Sequence, residues 1–324
     1  MPTEPPSIDP ALAPMISIVT PSYNQGAYIE DTITSILSQN YPKLQYFIID
    51  GGSKDNTVEV IKKYADRIDF WVSEKDRGQS DAINKGLARC TGDIFNWINS
   101  DDLLMPGALW AVAEAWKRQP GAILSGHTEL FDEKGTVELV KASGQTLKNF
   151  VRFWEAEDFG WTQQGAFLPL KDVKAVGGVR EDLVYCMDYD LMVKLLMRGV
   201  SVAYVNRATS RFRCHPMSKT VGSEKDFRLE RVNALREIKD LPVKVQPWEW
   251  EAEQARRMVD MARHAWQSGA RLHSLRWLAR ALALSPRGTI EETCRRAGRK
   301  ISGGSREIQP VPPNVLEHPN GSNL

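Results

Sequence analysis

Short apolar runs alternate with amphipathic stretches through the first hundred residues. Four runs rich in β-branched and aromatic residues predict buried strands, over 16–20, 46–49, 70–72 and 94–98. Between them, apolar side chains recur every three or four positions, which predicts helices over 27–39, from 56 or 57 to 64, and over 78–88. Strands that are apolar on both faces and alternate with helices are typical of a parallel sheet covered on both sides. The pattern therefore predicts an α/β fold.

A polar cluster follows each of these four predicted strands. The clusters are Thr-Pro-Ser-Tyr-Asn at 20–24, Asp-Gly-Gly-Ser at 50–53, Asp-Arg-Gly-Gln at 76–79 and Asn-Ser-Asp-Asp at 99–102. Taken alone, any one of them would fit an ordinary turn, because Asp, Asn, Gly and Ser are common turn residues. In such sheets, however, ligands bind outside the carboxyl ends of the strands. Four clusters at successive strand ends therefore predict one ligand-binding rim of acidic and amide groups.

The chemistry of this rim favours a metal-bound phosphate. The chain has neither the GxGxxG pattern of dinucleotide-binding domains nor the GxxxxGK[ST] pattern of P-loops. Mg²⁺ and Mn²⁺ prefer carboxylate oxygen atoms together with the phosphates of a ligand. Asp101 and Asp102 end a buried strand and are the candidate metal ligands. The alternative is that they cap the helix that begins near Pro106, which accounts for Asp102 but not for the pair.

Four sequence blocks together resemble the family 2 glycosyltransferases of the GT-A fold. They are SIVTPSYN at 17–24, IDGGSKDNT at 49–57, DRGQSDAINKG at 76–86 and GDIFNWINSDD at 92–102. The resemblance extends from about residue 16 to about residue 218, with the blocks in the family's order and spacing. It implies a GT-A type nucleotide-binding sheet covered by helices, to which this chain adds a C-terminal helical extension. It also implies transfer of a sugar from a nucleotide-diphosphate donor.

The resemblance assigns roles to individual residues on the donor side. It implies that the donor nucleotide is bound by Thr20, Ser22, Tyr23, Asp50, Asp76, Gln79, Ser100 and Asp101. Residues 99–101 occupy the place of the family's DxD motif, so Asp101 would bind Mn²⁺ or Mg²⁺. Asn99 stands where the family has its first Asp, which puts a contact from that position to the ribose in doubt. His215 matches a histidine that reaches the metal or the diphosphate in many members.

The acceptor side is implied by two segments of the second half. The family's Glu-Asp pair, which carries the catalytic base, corresponds here to Met187 and Asp188, so Asp188 is the candidate base. Asp190 competes with it, since residues two apart point to different sides of a helix, and either residue also suits helix capping. Residues 161–164 match a strand that lines the family's acceptor cleft, so Trp161, Gln163 and Gln164 are candidate acceptor contacts. The alternative for Trp161 is an ordinary core position.

Length, charge and cysteine content narrow the class of protein. A chain of 324 residues suggests about two domains, and 42% hydrophobic with 26% charged residues is typical of a globular protein. A net charge of +1 gives no reason to expect a nucleic-acid partner. Four cysteines without a CxxC pair argue against a zinc ribbon or a disulfide framework. With neither a signal-peptide pattern nor about 18 consecutive apolar residues, we expect a cytoplasmic protein, peripheral at most to the inner face of the plasma membrane.

The C-terminal part has a different charge from the rest. Twelve Lys and Arg against three Asp and Glu give residues 256–306 a net charge of +9. Apolar residues recur at helical spacing over 255–284, after a predicted helix over 227–238 and a linker over 241–250. Two interpretations stay open: a basic helix that binds an anionic membrane surface, and helices that pack together with a solvated basic face. The expected domains are a disordered N-terminus (1–14), the glycosyltransferase domain (15–222), the helical extension (223–301) and a disordered tail (302–324).

The reaction implied is inverting transfer from a nucleotide-diphosphate sugar, UDP-sugars being favoured, to a hydroxyl of a saccharide or lipid-linked saccharide. We expect the protein to act in the synthesis of a bacterial surface polysaccharide. Two other functions stay open. A sugar-phosphate nucleotidyltransferase would need a Gly-rich basic loop after the first strand, and residues 20–26 contain no Lys or Arg. A non-catalytic nucleotide-sugar-binding module would not need Asp188.

Overall fold

The computed structural model describes residues 8–156, 158–215, 224–267 and 269–301. The chain divides into two compact units, with the division after Trp250. The predicted disordered tail, 302–324, lies outside the described residues, as do residues 1–7 of the predicted disordered N-terminus. Pro10–Leu12 forms a 3₁₀ turn. The predicted domain boundary at residue 222 stays a prediction.

The first half of the large unit alternates strands and helices as the sequence pattern predicts. Its elements are β1 (Ile16–Ser22), α1 (Ile29–Leu37), β2 (Leu44–Asp50), α2 (Thr57–Lys63), β3 (Phe70–Ser73), α3 (Gln79–Arg89) and β4 (Ile94–Trp97). The four strands are parallel and lie in the order β3-β2-β1-β4. The α/β fold with a helix-covered sheet is thus confirmed.

The second half extends this sheet with strands of mixed direction. It comprises β5 (Leu103–Leu104), α4 (Ala108–Arg118), β6 (Ile123–Asp132), β7 (Gly135–Val140), α5 (Leu147–Val151), β8 (Ala166–Pro169), α6 (Leu170–Ala175), α7 (Met187–Met197), β9 (Val202–Arg213) and α8 (Glu224–Glu237). The sheet continues β4-β8-β6-β9-β5, and β7 pairs with β6. Because β8 runs antiparallel to both β4 and β6, the parallel arrangement is limited to the first four strands and the β6–β9 pair.

One predicted strand is wrong. Residues 161–164 are a turn that leads into β8, in which the Gln163 carbonyl accepts the N–H of Ala166. A backbone that turns on itself in this way cannot pair as a strand at the same residues. The side chains of residues 161–164 therefore contact the end of the sheet and do not belong to a strand within it.

The sheet is buried on both faces. Every residue of β1 is buried, and its apolar side chains divide between two clusters. Ile16 and Ile18 pack with Ile29 and Ile33 of α1, whereas Val19 lies in the cluster that contains Trp97. Because both faces are covered, the ends of the strands are the places where polar groups can meet a ligand. This constraint positions the site described below.

The second unit is helical. Its elements are α9 (Pro247–Gln267), which begins just before the division, α10 (Arg271–Leu284) and α11 (Pro286–Ile301). The last four residues of the predicted linker over 241–250 belong to the first turn of α9. This helix begins at Pro247, and proline is favoured at the first position of a helix. The predicted helical stretch over 255–284 is interrupted at Gly269, whose φ of +82° is unfavourable for other residues. Among the described residues, no helix is both long and apolar enough to span a bilayer.

Candidate active site

The acidic pair after β4 is split between two environments, and Asp102 is its buried member. Its Oδ2 accepts hydrogen bonds from the side-chain amides of Asn99 (3.1 Å) and Gln164 (2.8 Å), and its Oδ1 accepts the backbone N–H of Arg213 (3.1 Å). Burial, together with the charge of Asp101, raises the pKa of Asp102 to about 8. Asp102 therefore ties the end of β4 to the segment before β8 and to the end of β9.

Asp101 is the member that solvent and ligands can reach. Its side chain is 19% exposed, and its Oδ2 lies 2.9 Å from Nε2 of His215, which follows β9. A carboxylate oxygen and an imidazole nitrogen are both suitable ligands for Mn²⁺, and Mg²⁺ is commonly held by one or two protein carboxylates plus substrate phosphates. Within the described ranges, no group of three or more His, Cys, Asp and Glu side chains could hold a metal ion by itself. The donor set therefore fits an ion that also needs ligand phosphates.

Arg213 fixes the backbone at Asp101. Its Nε donates to the carbonyl oxygen of Asp101 (3.0 Å), and its Nη2 contacts a carboxylate oxygen of Asp31 (2.9 Å). The guanidinium also lies over the ring of Tyr28, which in turn contacts the His215 ring with centroids 4.8 Å apart. Sequence reasoning missed Arg213, because its partners are far away along the chain and no motif marks it.

Hydrogen bonds join the four polar clusters into the predicted rim. The hydroxyl of Ser53 accepts the N–H of Asn24 (2.7 Å), which joins the first two clusters. Gln79 donates from Nε2 to Oδ1 of Asn99 (2.8 Å), which joins the third cluster to the fourth. The second and third strand ends are joined at Asp50, whose Oδ2 accepts the hydroxyl of Ser73 (2.6 Å). The strand ends thus form one continuous polar edge.

The residues predicted to bind the nucleotide differ in how accessible they are. Asp50 is fully buried, and besides Ser73 it accepts the N–H groups of Gly52 and Ser53 and the Ser53 hydroxyl. Thr20 is also buried, with its hydroxyl 3.1 Å from that of Tyr46. Direct contacts from these two side chains to a nucleotide stay predictions.

The other predicted nucleotide contacts lie closer to solvent, with two exceptions. Tyr23 is 59% exposed, and Asp76 is partly exposed and accepts the N–H of Gly78 (2.9 Å). Ser22 and Ser100 are buried, and the Ser22 hydroxyl has no hydrogen-bond partner among the described residues. An unpaired buried hydroxyl is costly, so Ser22 is suited to a contact with a ligand.

The two acidic residues at the start of α7 are clearly separated by their surroundings. Asp190 has a fully buried side chain and lies 2.6 Å from Nζ of Lys194 and 3.8 Å from Nη1 of Arg180. Asp188 is half-buried, and one of its oxygens accepts the N–H of Tyr189 (2.7 Å). Burial raises the pKa of Asp188 to about 6, while the N–H of Tyr189 and the charge of Arg231 oppose that shift. Asp188 is therefore the better placed to exchange a proton.

Glu230, which sequence reasoning missed, fixes the start of α7. Its two carboxylate oxygens accept the backbone N–H groups of Val184 (2.8 Å), Tyr185 (2.7 Å) and Cys186 (2.7 Å). These N–H groups immediately precede the helix that carries Asp188, so α8 holds α7 in place through this carboxylate. No sequence signal reveals the contact, since about 45 residues separate the partners.

The three candidate acceptor residues differ in the contacts that their side chains make. Gln163 donates from Nε2 to Oδ1 of Asn96 (3.0 Å) and to the Trp97 carbonyl (2.7 Å), and Gln164 donates to Asp102 as described. Both amide nitrogens are thus used inside the protein, and acceptor contacts from them stay predictions. Trp161 packs against the ring of Tyr189, with centroids 5.9 Å apart, and its buried Nε1 has no partner among the described residues.

Comparison with known proteins shows a family model that matches part of the chain. Residues 17–166 match the model for glycosyl transferase family 2. An uncharacterized glycosyltransferase of Rickettsia typhi is 28% identical over 214 residues, which are 64% of this chain and 66% of that protein. The "Putative teichuronic acid biosynthesis glycosyltransferase TuaG" of Bacillus subtilis is 38% identical over 92 residues, covering 28% of this chain and 36% of that one. The aligned region spans between about a third and two thirds of the length of the first curated relatives.

Solved structures agree on the fold. Staphylococcus aureus TarS 1–349 in complex with UDP-GlcNAc superposes with a TM-score of 0.63 at 14% identity, covering 92% of this chain and 94% of that one. The mannosyltransferase PcManGT of Pyrobaculum calidifontis, in complex with GDP-Man and Mn²⁺, superposes with a TM-score of 0.53 at 20% identity, covering 92% and 84%. At these identities the likeness establishes the fold.

The different surroundings of Asp101 and Asp102 lead to a prediction about stability. Three N–H donors converge on the Asp102 carboxylate, and in Asp102→Asn one oxygen becomes an NH₂ group that cannot accept. We expect Asp102→Asn to lower the free energy of unfolding by about 1–3 kcal/mol, because at least one buried donor loses its acceptor. Asp101→Asn is the matched control and should change it by less than about 0.5 kcal/mol. Urea unfolding measures both, and equal losses would contradict the division of roles.

Proposed function

We propose that this chain is a family 2 glycosyltransferase of the GT-A fold, which the match of residues 17–166 supports. In this proposal it transfers a sugar from a nucleotide-diphosphate sugar to an acceptor hydroxyl, with inversion at the anomeric carbon. The observation that carries this proposal is the pairing of Asp101 with His215 at the carboxyl end of β4. Ligands of open α/β sheets bind at that end. The two side chains offer the ligands that an ion bridging a diphosphate requires.

The proposed donor is a UDP-sugar, and the proposed acceptor is a saccharide or lipid-linked saccharide of a bacterial surface polysaccharide. The donor is supported by the complex of TarS with UDP-GlcNAc, a structural neighbour over 92% of this chain. The acceptor class is supported by the name of TuaG, which refers to teichuronic acid biosynthesis. Ser22, Tyr23 and Asp76 are the predicted nucleotide contacts whose side chains are best placed to face a ligand.

The proposed cofactor is Mn²⁺ or Mg²⁺, held by Asp101 and His215. Mn²⁺ in the PcManGT complex supports this choice. Such an ion, when bound, offsets the negative charge that develops on a departing diphosphate. Hydrogen bonds within this chain keep the loop that carries Asp101 in position. The side chains of Asn99 and Asp102 bond to each other on either side of Asp101, and Arg213 donates to the Asp101 carbonyl.

Asp188 is the proposed catalytic base. Its ionised carboxylate accepts the proton of the acceptor hydroxyl as that oxygen attacks the anomeric carbon from the face opposite the diphosphate. The donated N–H of Tyr189 leaves the second carboxylate oxygen of Asp188 for this contact. No general acid is needed, since a diphosphate leaves without being protonated. The pairing of Asp190 with Lys194 keeps that competing carboxylate away from the reaction.

The two other functions are less well supported. A nucleotidyltransferase would need basic groups after β1, and residues 20–26 contain none. A non-catalytic binding module would have no use for a half-buried carboxyl group whose pKa lies near neutrality, as that of Asp188 does. Measurements of Mn²⁺ binding and of turnover against pH separate these functions from sugar transfer.

The metal site can be tested by direct binding. In the presence of UDP, we expect Mn²⁺ to bind the wild-type protein with a stoichiometry of one, and Asp101→Asn or His215→Gln to weaken that binding at least tenfold, as loss of a ligand does. Isothermal titration calorimetry measures it, and Asp182→Asn, which changes an exposed carboxylate elsewhere, is the control. Sugar transfer that persists in excess EDTA would contradict the metal proposal.

The base can be tested by its pH dependence. Because Asp188 must be ionised to accept a proton and its pKa is about 6, we expect kcat to rise with pH, to be half-maximal near pH 6 and to level off at about pH 7. Asp188→Asn should reduce kcat by about 10²-fold or more and remove this dependence, with donor affinity retained. Nucleotide release measured between about pH 5 and 8 checks both. An active Asp188→Asn enzyme together with an inactive Asp190→Asn enzyme would contradict this assignment and would show that Asp190 is the base.

The second unit is proposed to bind an anionic membrane surface. Leu278 and Ala281 of α10 pack with Ala255 and Val259, whereas the other face of α10 leaves Leu272, Leu275 and Leu282 62%, 56% and 46% exposed. The exposed arginines of α10 are Arg271, Arg276 and Arg280. Apolar side chains beside arginines suit an interface with anionic lipid, where each basic residue contributes about 1 kcal/mol. The packing interpretation holds for Leu278 but not for the three exposed leucines.

Vesicle co-sedimentation tests this proposal. We expect the wild-type protein to bind vesicles containing phosphatidylglycerol, to bind phosphatidylcholine vesicles much less, and to dissociate as salt screens the arginines. Replacing Leu272, Leu275 and Leu282 by Ser should reduce binding at least tenfold. Val137→Ser, which changes an exposed residue of β7, is the control. Equal binding to both kinds of vesicle, or binding to neither, would contradict the proposal.

A further inference from the structure

Arg231 occupies an unusual position on α8. It lies four residues after Phe227 and four before Leu235, on the side of the helix that packs on the core. Its guanidinium lies over two aromatic rings, 4.3 Å from the centroid of Tyr189 and 4.7 Å from that of Phe153. A charged side chain in an apolar stripe is costly unless its polar atoms are satisfied.

The Nε of Arg231 is buried and has no hydrogen-bond partner within the described part of the chain. No hydrogen bond or ion pair joins its guanidinium to another described residue. The neighbouring Glu230 is not available, because both its carboxylate oxygens accept backbone N–H groups before α7. A guanidinium has five N–H donors in a planar arrangement that matches a carboxylate or a phosphate. Asp188 is a nearby negative charge, and the free N–H donors of the guanidinium suit a further anionic group.

Arg231 also lies beside the proposed catalytic base. Tyr189, on which Arg231 stacks, directly follows Asp188, and the positive charge of Arg231 opposes the rise in the pKa of Asp188. Trp161 packs on the same Tyr189 ring and also has a buried N–H without a partner among the described residues. Two unsatisfied donors thus surround the tyrosine next to the residue that would receive the acceptor.

The geometry points to an anion subsite: Arg231, with Trp161 Nε1 nearby, binds a carboxylate or phosphate group of the acceptor close to the hydroxyl that is glycosylated. This inference rests on the proposed transferase function and narrows the acceptor to an acidic sugar or a phosphate-bearing polyol or saccharide. The guanidinium stacked on two rings is held in one orientation, so it can bind the anion without losing much side-chain freedom.

Binding of matched small probes tests the subsite. Dissociation constants would be measured by NMR titration, with UDP and the diamagnetic ion Mg²⁺ present and at fixed ionic strength, for D-glucuronate against D-glucose and for glycerol 1-phosphate against glycerol. We expect the wild-type protein to bind at least one anion about tenfold or more tightly than its neutral counterpart. Arg231→Met, which keeps an apolar stem on the rings, should abolish this preference, and Arg231→Lys should keep part of it. Arg236→Met, on the same helix, is the control and should leave it unchanged.

The two pairs of probes separate a carboxylate subsite from a phosphate subsite. Wild-type protein without a preference for either anion, or a preference that survives in Arg231→Met, would overturn the inference. A loss of UDP affinity in Arg231→Met would also overturn it, because the guanidinium would then contact the donor. UDP release from a UDP-sugar is followed on the same proteins, so failure of the proposed transferase function would be seen separately. Thermal unfolding confirms that the Arg231 variants are folded.

Discussion

The buried carboxylate of Asp102 ties together the segments that make this site. It accepts hydrogen bonds from Asn99 beside it, from Gln164 before β8 and from Arg213 at the end of β9. The latter two partners lie 62 and 111 residues away along the chain, so the carboxylate closes long loops at the carboxyl end of the sheet. Because Arg213 is fixed in this way, His215 two residues later reaches Asp101. The position of the proposed metal site is therefore a consequence of one buried carboxyl group whose oxygen atoms accept three hydrogen bonds.

The sequence could predict the first half of the fold for a physical reason. β1, β4 and most of β2 are buried, and the edge strand β3 is mainly apolar, so each strand stands out between turn clusters. The same burial places the polar clusters at the strand ends, which made the rim predictable. It also made Asp101 a candidate ligand without any knowledge of the tertiary structure.

Other features depend on contacts that no local pattern records. Asp101 and Asp102 are adjacent and chemically identical, and only their partners make one of them a candidate ligand and the other a structural anchor. Gln163 and Gln164 were predicted to contact an acceptor, but Asn96 and Asp102 engage their amide nitrogens. Arg231 is different, because its position in an apolar stripe, between Phe227 and Leu235, is visible in the sequence once the helix is assumed. The general lesson is that misplaced charges deserve scrutiny even outside a recognised motif.

Asp101 and His215 are proposed to bind a divalent ion that also binds the donor diphosphate. The most direct measurement is anomalous diffraction from a crystal of the protein with Mn²⁺ and UDP, recorded just above the manganese absorption edge. We expect one anomalous peak, coordinated by the Asp101 carboxylate, by Nε2 of His215 and by diphosphate oxygens. UDP bound without manganese, or manganese bound with the diphosphate at other side chains, would contradict it.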